Sequence, residues 1–312
     1  MSSANGTLID GMTSAGTNTV ASLRLMLTLP DKEKWEPNCW VQATCPTEDE
    51  EKYLIEELHI PDYFLNDIRD KDERARYDYD EGWMLIILRI PYQKEEQSRT
   101  PHTTIPLGVL LNREVCVSVC HFETDMMLDF VSYQKRRGLG FADSVDFVFR
   151  LFLSSAVWYL KRLKQISTLI DSAKRDLDRP INNSDLINLS RLQDSLTYFA
   201  TAIRGNETLL SKLKFKLPVD ELDADMIEDV NIEMSQARET TGIYANILES
   251  TIDTYASIIS NNMNQTPRHE PFGSRPQLFE GRRRRNLGRP RSVQQERSLE
   301  VPQLRSEIAH GA

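Results

Sequence analysis

The sequence predicts an α/β fold of α+β-like character: a mixed sheet flanked by helices, then an antiparallel long-helix pair, then one very long stalk helix. Three observations predict it. First, between Leu222 and Asn264 apolar residues recur on a three-four beat at Ile227, Val230, Met234, Ala237, Tyr244, Leu248, Tyr255 and Ile258. Thr241 and Thr251 fill the remaining seam positions, so the stripe is continuous and reads as one straight helix. At about 1.5 Å per residue it would be on the order of 60 Å long, too long to bury its stripe in one small globule. It must pack along other long helices. Second, the first half of the chain holds short alternating or wholly apolar runs bounded by turn residues. Third, from Asp143 onward the apolar spacing is almost wholly helical.

In chain order, residues 1–21 are rich in Ser, Thr and Gly and read as a disordered N-terminus. From Ser22 to Leu29 the residues Leu23, Leu25, Leu27 and Leu29 share one side, as in a half-buried strand. Trp40–Thr44 reads as a second short strand. Thr47 followed by Glu48, Asp49, Glu50 and Glu51 is an acidic helix start, with Tyr53, Leu54 and Leu58 facing inward. Pro61 suits a first helical position and opens a short helix through Leu65 and Ile68. Trp83–Ile90, interrupted by Arg89, and Thr103–Leu111 read as strands, and Asn112-Arg113-Glu114 turns the chain into Val115–Cys120 as a hairpin. Thr124 caps a helix that ends at Gly138.

Asp143–Leu177 carries Phe147, Val148, Leu151, Phe152, Val157, Leu160, Leu163, Ile166, Leu169 and Ile170 at helical spacing and stops before Pro180. Asn183-Ser184 starts the next helix, with Leu186, Leu189, Leu192, Leu196, Phe199 and Ile203, running to about Phe215. Pro218 then breaks the chain, and Asp220, Glu221, Asp223 and Asp225 place negative charge at the start of the long helix. The implied division is a mixed domain over 22–142, a long-helix stalk over 143–264 and a disordered Arg-rich tail over 265–312.

Charge separates these parts. The tail holds ten Arg, no Lys and five Glu, a net +5; the whole chain carries −9, so −9 − 5 leaves −14 on residues 1–264. An acidic body argues against a nucleic-acid surface there and favours cations or basic partners. The four cysteines, Cys39, Cys45, Cys116 and Cys120, form no Cys-x-x-Cys pair and no secreted framework, which points to a reducing compartment. No run of about 20 apolar residues encodes a membrane span, and residues 1–21 lack the regions of a signal peptide.

The catalytic signatures are missing: no Gly-x-Ser-x-Gly, no phosphate-cradling glycine loop, no His-Glu-x-x-His. The expectation is therefore not an enzyme. Gly138-Leu139-Gly140 reads as a helix C-cap. Cys116, Cys120 and His121 are soft metal ligands by type, yet the two cysteines alternate with Val115, Val117 and Val119, which favours packed thiols. The carboxylates of the long helix, among them Asp225, Glu228, Asp229, Glu233 and Asp253, form either a solvated face or a hard-cation site, since Mg²⁺ prefers carboxylate oxygens and retained waters. Nothing local says which would pair.

Three segments together resemble the cytoplasmic part of the CorA-type magnesium transporters, from about Ser22 to Asn264. Ile60–Ile68, continuing through Arg74-Ala75-Arg76-Tyr77-Asp78-Tyr79-Asp80 into Trp83–Ile90, is similar to that family's helix, turn and strand. Leu107–Leu111 with Val115–Val119 resembles the hairpin that follows. Thr251–Asn264 resembles the end of its stalk helix at the membrane entry. The resemblance implies a homopentamer with stalk helices around a pore axis, and a regulatory Mg²⁺ or Co²⁺ site between subunits. On that reading the site's aspartates are Asp67 and Asp229, with Asn66 an auxiliary position where relatives often carry a second acid. Asn264 and Asp253 fall at the pore mouth. The intact family member would lie in the cell membrane with this portion on the cytoplasmic side.

The family continues into two transmembrane helices joined by a Gly-Met-Asn loop, and neither follows Asn264 here. The abrupt change to an Arg/Pro/Gly-rich segment is what a shift of reading frame just after Asn264 would produce; a genuine basic tail is the alternative. Two further functions stay open: a soluble helical scaffold that self-associates without metal, and weak nucleic-acid binding through Arg282, Arg283, Arg284 and Arg285.

Overall fold

The computed structural model describes residues 25–27, 39–94, 100–137, 141, 143–175, 177, 181–217, 219 and 221–264. The expectations for residues 1–21, for Gly138–Gly140 and for the tail with Arg282–Arg285 fall outside them.

Six strands form one mixed sheet: β1 (Leu25–Leu27), β2 (Cys39–Thr44), β3 (Arg76–Asp80), β4 (Trp83–Gln93), β5 (His102–Leu111) and β6 (Val115–Cys120). Their order is β1-β2-β6-β5-β4-β3; β2 pairs in parallel with β1 and β6, and the other pairs are antiparallel. The period-two alternation of side chains divides the core cleanly. Leu85, Ile87, Leu110, Val115, Val117 and Val119 point to one face, while Ile86, Leu88, Ile90, Leu107, Val109, Cys116 and Cys120 point to the other.

The first face is covered by α1 (Glu48–Glu56) and α2 (Asp62–Arg69), which bring Leu54, Phe64, Leu65 and Ile68 onto it. Thr47 and Glu50 close a reciprocal capping box at the start of α1. The second face carries α3 (Asp125–Arg137) and the long helices α4 (Ser144–Arg175), α5 (Asn183–Leu213) and α6 (Glu221–Asn264). Thr124 Oγ1 accepts from the Met127 N–H at 3.1 Å, and Asp143 Oδ1 accepts from Val145 and Asp146 at 2.8 and 2.9 Å, so both helices start where their caps stand.

Most of the α6 seam is buried as its spacing requires, at Ile227, Val230, Met234, Ala237, Thr241, Leu248, Thr251 and Tyr255, while Tyr244 and Ile258 are half-buried. On α4, Val157 and Leu169 are exposed although their spacing placed them inward. Rather than following a self-contained helix pair, α6 packs along both α4 and α5, which touch one another far less. Glu207 of α5 pairs with Arg238 of α6 at 3.1 Å, and Tyr255 Oη donates to the Ala173 carbonyl of α4 at 2.8 Å.

Three local readings change. Residues 76–80, expected as a turn, are strand β3, hairpinned to β4 through Glu81 at φ 48° and Gly82 at φ 84°. The alternating Arg-Tyr-Asp-Tyr-Asp segment is too polar to register as a strand on hydrophobicity, but as an edge strand it needs only one side paired. β4 runs on through Pro91 to Gln93, which is possible because β3 pairs no further than Ile87 and Pro91 needs no donor on that side. Pro61 is the N-cap of α2 rather than its first helical residue.

Candidate cation site and its supports

Asp67 owes its place to the three apolar residues around it. Phe64, Leu65 and Ile68 bury one face of α2, and the helical period turns Asn66, Asp67 and Arg69 toward solvent. The helix sits low on the sheet because β5 offers Gly108 beneath Ile68. A Cβ at that position would lie 2.2 Å from Ile68 Cδ1 and 2.4 Å from its Cγ1.

The Asp67 carboxylate is already engaged. Arg76 Nη2 donates to Asp67 Oδ2 at 2.5 Å, Nη1 to Asp78 at 2.9 Å and Nε to Glu73 at 3.2 Å. Burial alone would lower the Arg76 pKa, but Asp67, Glu73 and Asp78 reverse that and hold it above its ordinary value. One guanidinium thus holds three carboxylates, and giving up Asp67 would leave it two. Asn66 Oδ1 accepts from Arg69 Nη1 at 3.3 Å, and Arg69 also pairs with Glu51. Tyr63 donates to Asp80, a bond that pushes the phenol up to about 12.

Behind this cluster stands a residue that the sequence showed only as an interruption of an apolar run. Arg89 Nη1 donates to the carbonyls of Lys71 and Glu73 at 2.6 and 3.0 Å, and Nη2 to the carbonyl and hydroxyl of Thr104 at 2.7 and 2.8 Å. Burial lowers its pKa. Its backbone is gripped from the other face: the N–H donates to Asn206 Oδ1 at 3.0 Å, and its carbonyl accepts from Asn206 Nδ2 at 2.7 Å and Tyr159 Oη at 3.0 Å. One residue therefore ties the segment after α2 to α4 and α5.

Asp229 is exposed on α6, next to the fully buried Val230. Because α2 covers one face of the sheet and α6 belongs to the layer on the other, one chain does not bring Asp67 and Asp229 together. Asp253 is exposed near the end of α6, and Asn264 is that helix's last residue. Among the described residues no group of three or more His, Cys, Asp or Glu could hold a metal ion. Cys116 and Cys120 are buried free thiols, the latter pushed up to about 12 by burial, so they act as packing groups. His121 stands 3.8 Å from Glu51, and burial lowers its pKa. No helix among the described residues is long and apolar enough to cross a membrane.

A family model described as CorA-like Mg²⁺ transporter protein matches residues 35–268. The cobalt/magnesium transport protein CorA of Methanocaldococcus jannaschii is 24% identical over 237 residues, 72% of this chain and 71% of that protein. A putative phosphoethanolamine transferase of Haemophilus influenzae is 87% identical over only 38 residues, so the chain spans 8% of that relative's length. Among solved structures, the complete CorA magnesium transporter of M. jannaschii superposes with a TM-score of 0.67 at 21% identity, covering 75% of each chain. Its soluble domain gives 0.61 at 20%, covering 70% of this chain and 87% of that one. The ZntB cytoplasmic domain of Vibrio parahaemolyticus gives 0.57 at 14%, covering 74% and 90%.

Proposed function

The chain belongs to the CorA-like Mg²⁺ transporter protein family, and from that premise we propose that its sheet and long helices are the cation-sensing, cytoplasmic-side part of a divalent-metal transporter. Mg²⁺ or Co²⁺ binds between neighbouring copies, with Asp67 of one and Asp229 of the next as carboxylate ligands and Asn66 beside them. The observation that carries this reading is the placement of the two aspartates. Both are accessible, but they belong to layers on opposite sides of one sheet, so only a second copy can join them.

The residues fit a divalent ion on one condition. Asp67 Oδ2 is held by an internal cation, so a metal competes with Arg76 for the carboxylate, and Arg76 keeps Glu73 and Asp78 as partners if it gives way. The exchange swaps a singly charged guanidinium for a doubly charged ion between two carboxylates, and each protomer body carries a large negative charge. Bridging ions would offset that repulsion; their loss would free the protomers to move and bias a bistable assembly. The exposed Ile232 and Ile243 give α6 a second apolar face, 56% accessible at each residue, suited to self-association as a homopentamer. Asp253 and Asn264, toward the far end of α6, stand nearest the pore mouth.

Sedimentation of the full chain with and without Mg²⁺ tests this. The expected result is a Mg²⁺-dependent oligomer that Asp67→Ala or Asp229→Ala each abolish. An oligomer indifferent to the ion and to both substitutions would make the chain a metal-independent scaffold instead.

A further inference from the structure

A cavity of about 880 Å³ opens where the ends of β4 and β5 meet the second half of α4, the first half of α5 and Tyr255 of α6. None of the candidate cation-site residues lines it. Its volume lies within the several hundred to about 1,000 Å³ typical of small-molecule sites. Two features mark it as more than a packing gap.

The first is charge. The cavity is lined by Lys94 and Arg191 against one acid, Asp185, and that acid already accepts the Asn182 backbone N–H at 2.9 Å. In a body of strongly negative charge, two cations turned to one cavity favour an anion. The second is unmet hydrogen-bonding capacity. His102 is 3% exposed, its ring edge-on to Phe199 with centroids 6.3 Å apart, and its Nδ1 has no partner among the described residues. The buried Nε of Arg191 also lacks one, although another nitrogen of that guanidinium donates to Asn188 at 3.2 Å. An unmet buried polar atom is costly, and folded proteins keep few of them. Leu189 and the ring of Tyr255, whose hydroxyl is turned to Ala173, add an apolar wall.

We propose that this cavity binds a small organic phosphate. Arg191 and Lys94 take the phosphate, His102 Nδ1 meets a polar group of the organic part, and the leucine and tyrosine wall covers its apolar side. Inorganic phosphate alone would fill little of the space. Because the ligand would touch the sheet, α4, α5 and α6 at once, its binding would tie the sheet to the long helices. This reading does not depend on the cation site.

Calorimetry on the full chain in excess chelator, with AMP and ribose 5-phosphate as probes and adenosine as control, tests it. At least one phosphate probe should bind at sub-millimolar concentration, and adenosine should bind at least tenfold more weakly. Arg191→Gln should weaken binding about 10- to 100-fold, the loss expected for one charge-assisted hydrogen bond. Ser172→Trp, which obstructs the cavity with both cations intact, should weaken it similarly, and both variants should melt like the parent chain. Absence of heat from both phosphates at millimolar concentration would overturn the proposal. So would binding untouched by both substitutions, or adenosine binding as tightly as AMP. With metal chelated, failure here says nothing about the Asp67–Asp229 reading, and failure there leaves this result standing.

Discussion

The two faces of the sheet are held by different means. On the long-helix face, Trp40, Phe130, Phe141 and Phe147 interlock, with Phe147 centred 4.8 Å from Trp40 and 4.9 Å from Phe141. That face also gains the Arg89 clamp and the packing of α4 and α5, along which α6 lies in turn. The opposite face is closed by little more than α1 and α2, and its fit turns on a single close approach, Ile68 over Gly108. The thick face carries stability in many overlapping contacts. The thin face carries Asp67, and a small shift there would move the carboxylate without unfolding the molecule. On the proposed reading of Asp67 as a cation ligand, a sensing element belongs on the side that costs least to displace.

The largest test of this contrast is Phe147→Ala, which opens a void in the aromatic cluster and should cost about 3–5 kcal/mol in a denaturant melt. Gly108→Ala forces α2 off the sheet and should cost about 1–3 kcal/mol, a typical overpacking penalty. In an Ile68→Ala background, which removes Cδ1, Cγ1 and Cγ2, the same Gly108→Ala change should cost less; an equal penalty in both backgrounds would mean that the close approach does not set the height of α2.

The pH dependence probes the thick face. Burial, helped by Arg162, pushes His102 down to about 4 from an ordinary value near 6.5. The unfolded chain therefore binds a proton across this window that the folded chain refuses, so stability should fall as pH drops from about 6.5 toward 4. His102→Gln should remove roughly 2–3 kcal/mol of the difference between pH 7 and pH 4, read from denaturant midpoints at the two values. The smallest expected effect is Arg76→Ala. Freed of its internal cation, Asp67 should bind Mg²⁺ about two- to fivefold more tightly in calorimetry, the scale of a partly exposed ion pair. Weaker binding would make Arg76 a support of the site rather than a competitor.

Most of the fold was legible in the sequence because it is written as local periodicity. The seam of α6 is buried at the spacing read from its apolar residues, and the alternation of β6 sorted its valines and cysteines to opposite faces. The strand β3 was not legible, since its charged residues mask a pairing that only its neighbour β4 supplies. The candidate site's positions, Asp67 and Asp229, rest on resemblance alone, and the carboxylates and guanidinium around Asp67 were not legible in the sequence.

The order and register of helices and strands follow from side-chain spacing along a few turns or residues, and the amino-acid sequence sets that directly. Partners depend on where distant segments come to rest. Arg89 meets Asn206 across 117 positions of chain, and His102 faces a cavity walled by three later helices. Only the tertiary structure decided that Arg76 holds Asp67 and that the two aspartates stand on opposite sides of one sheet.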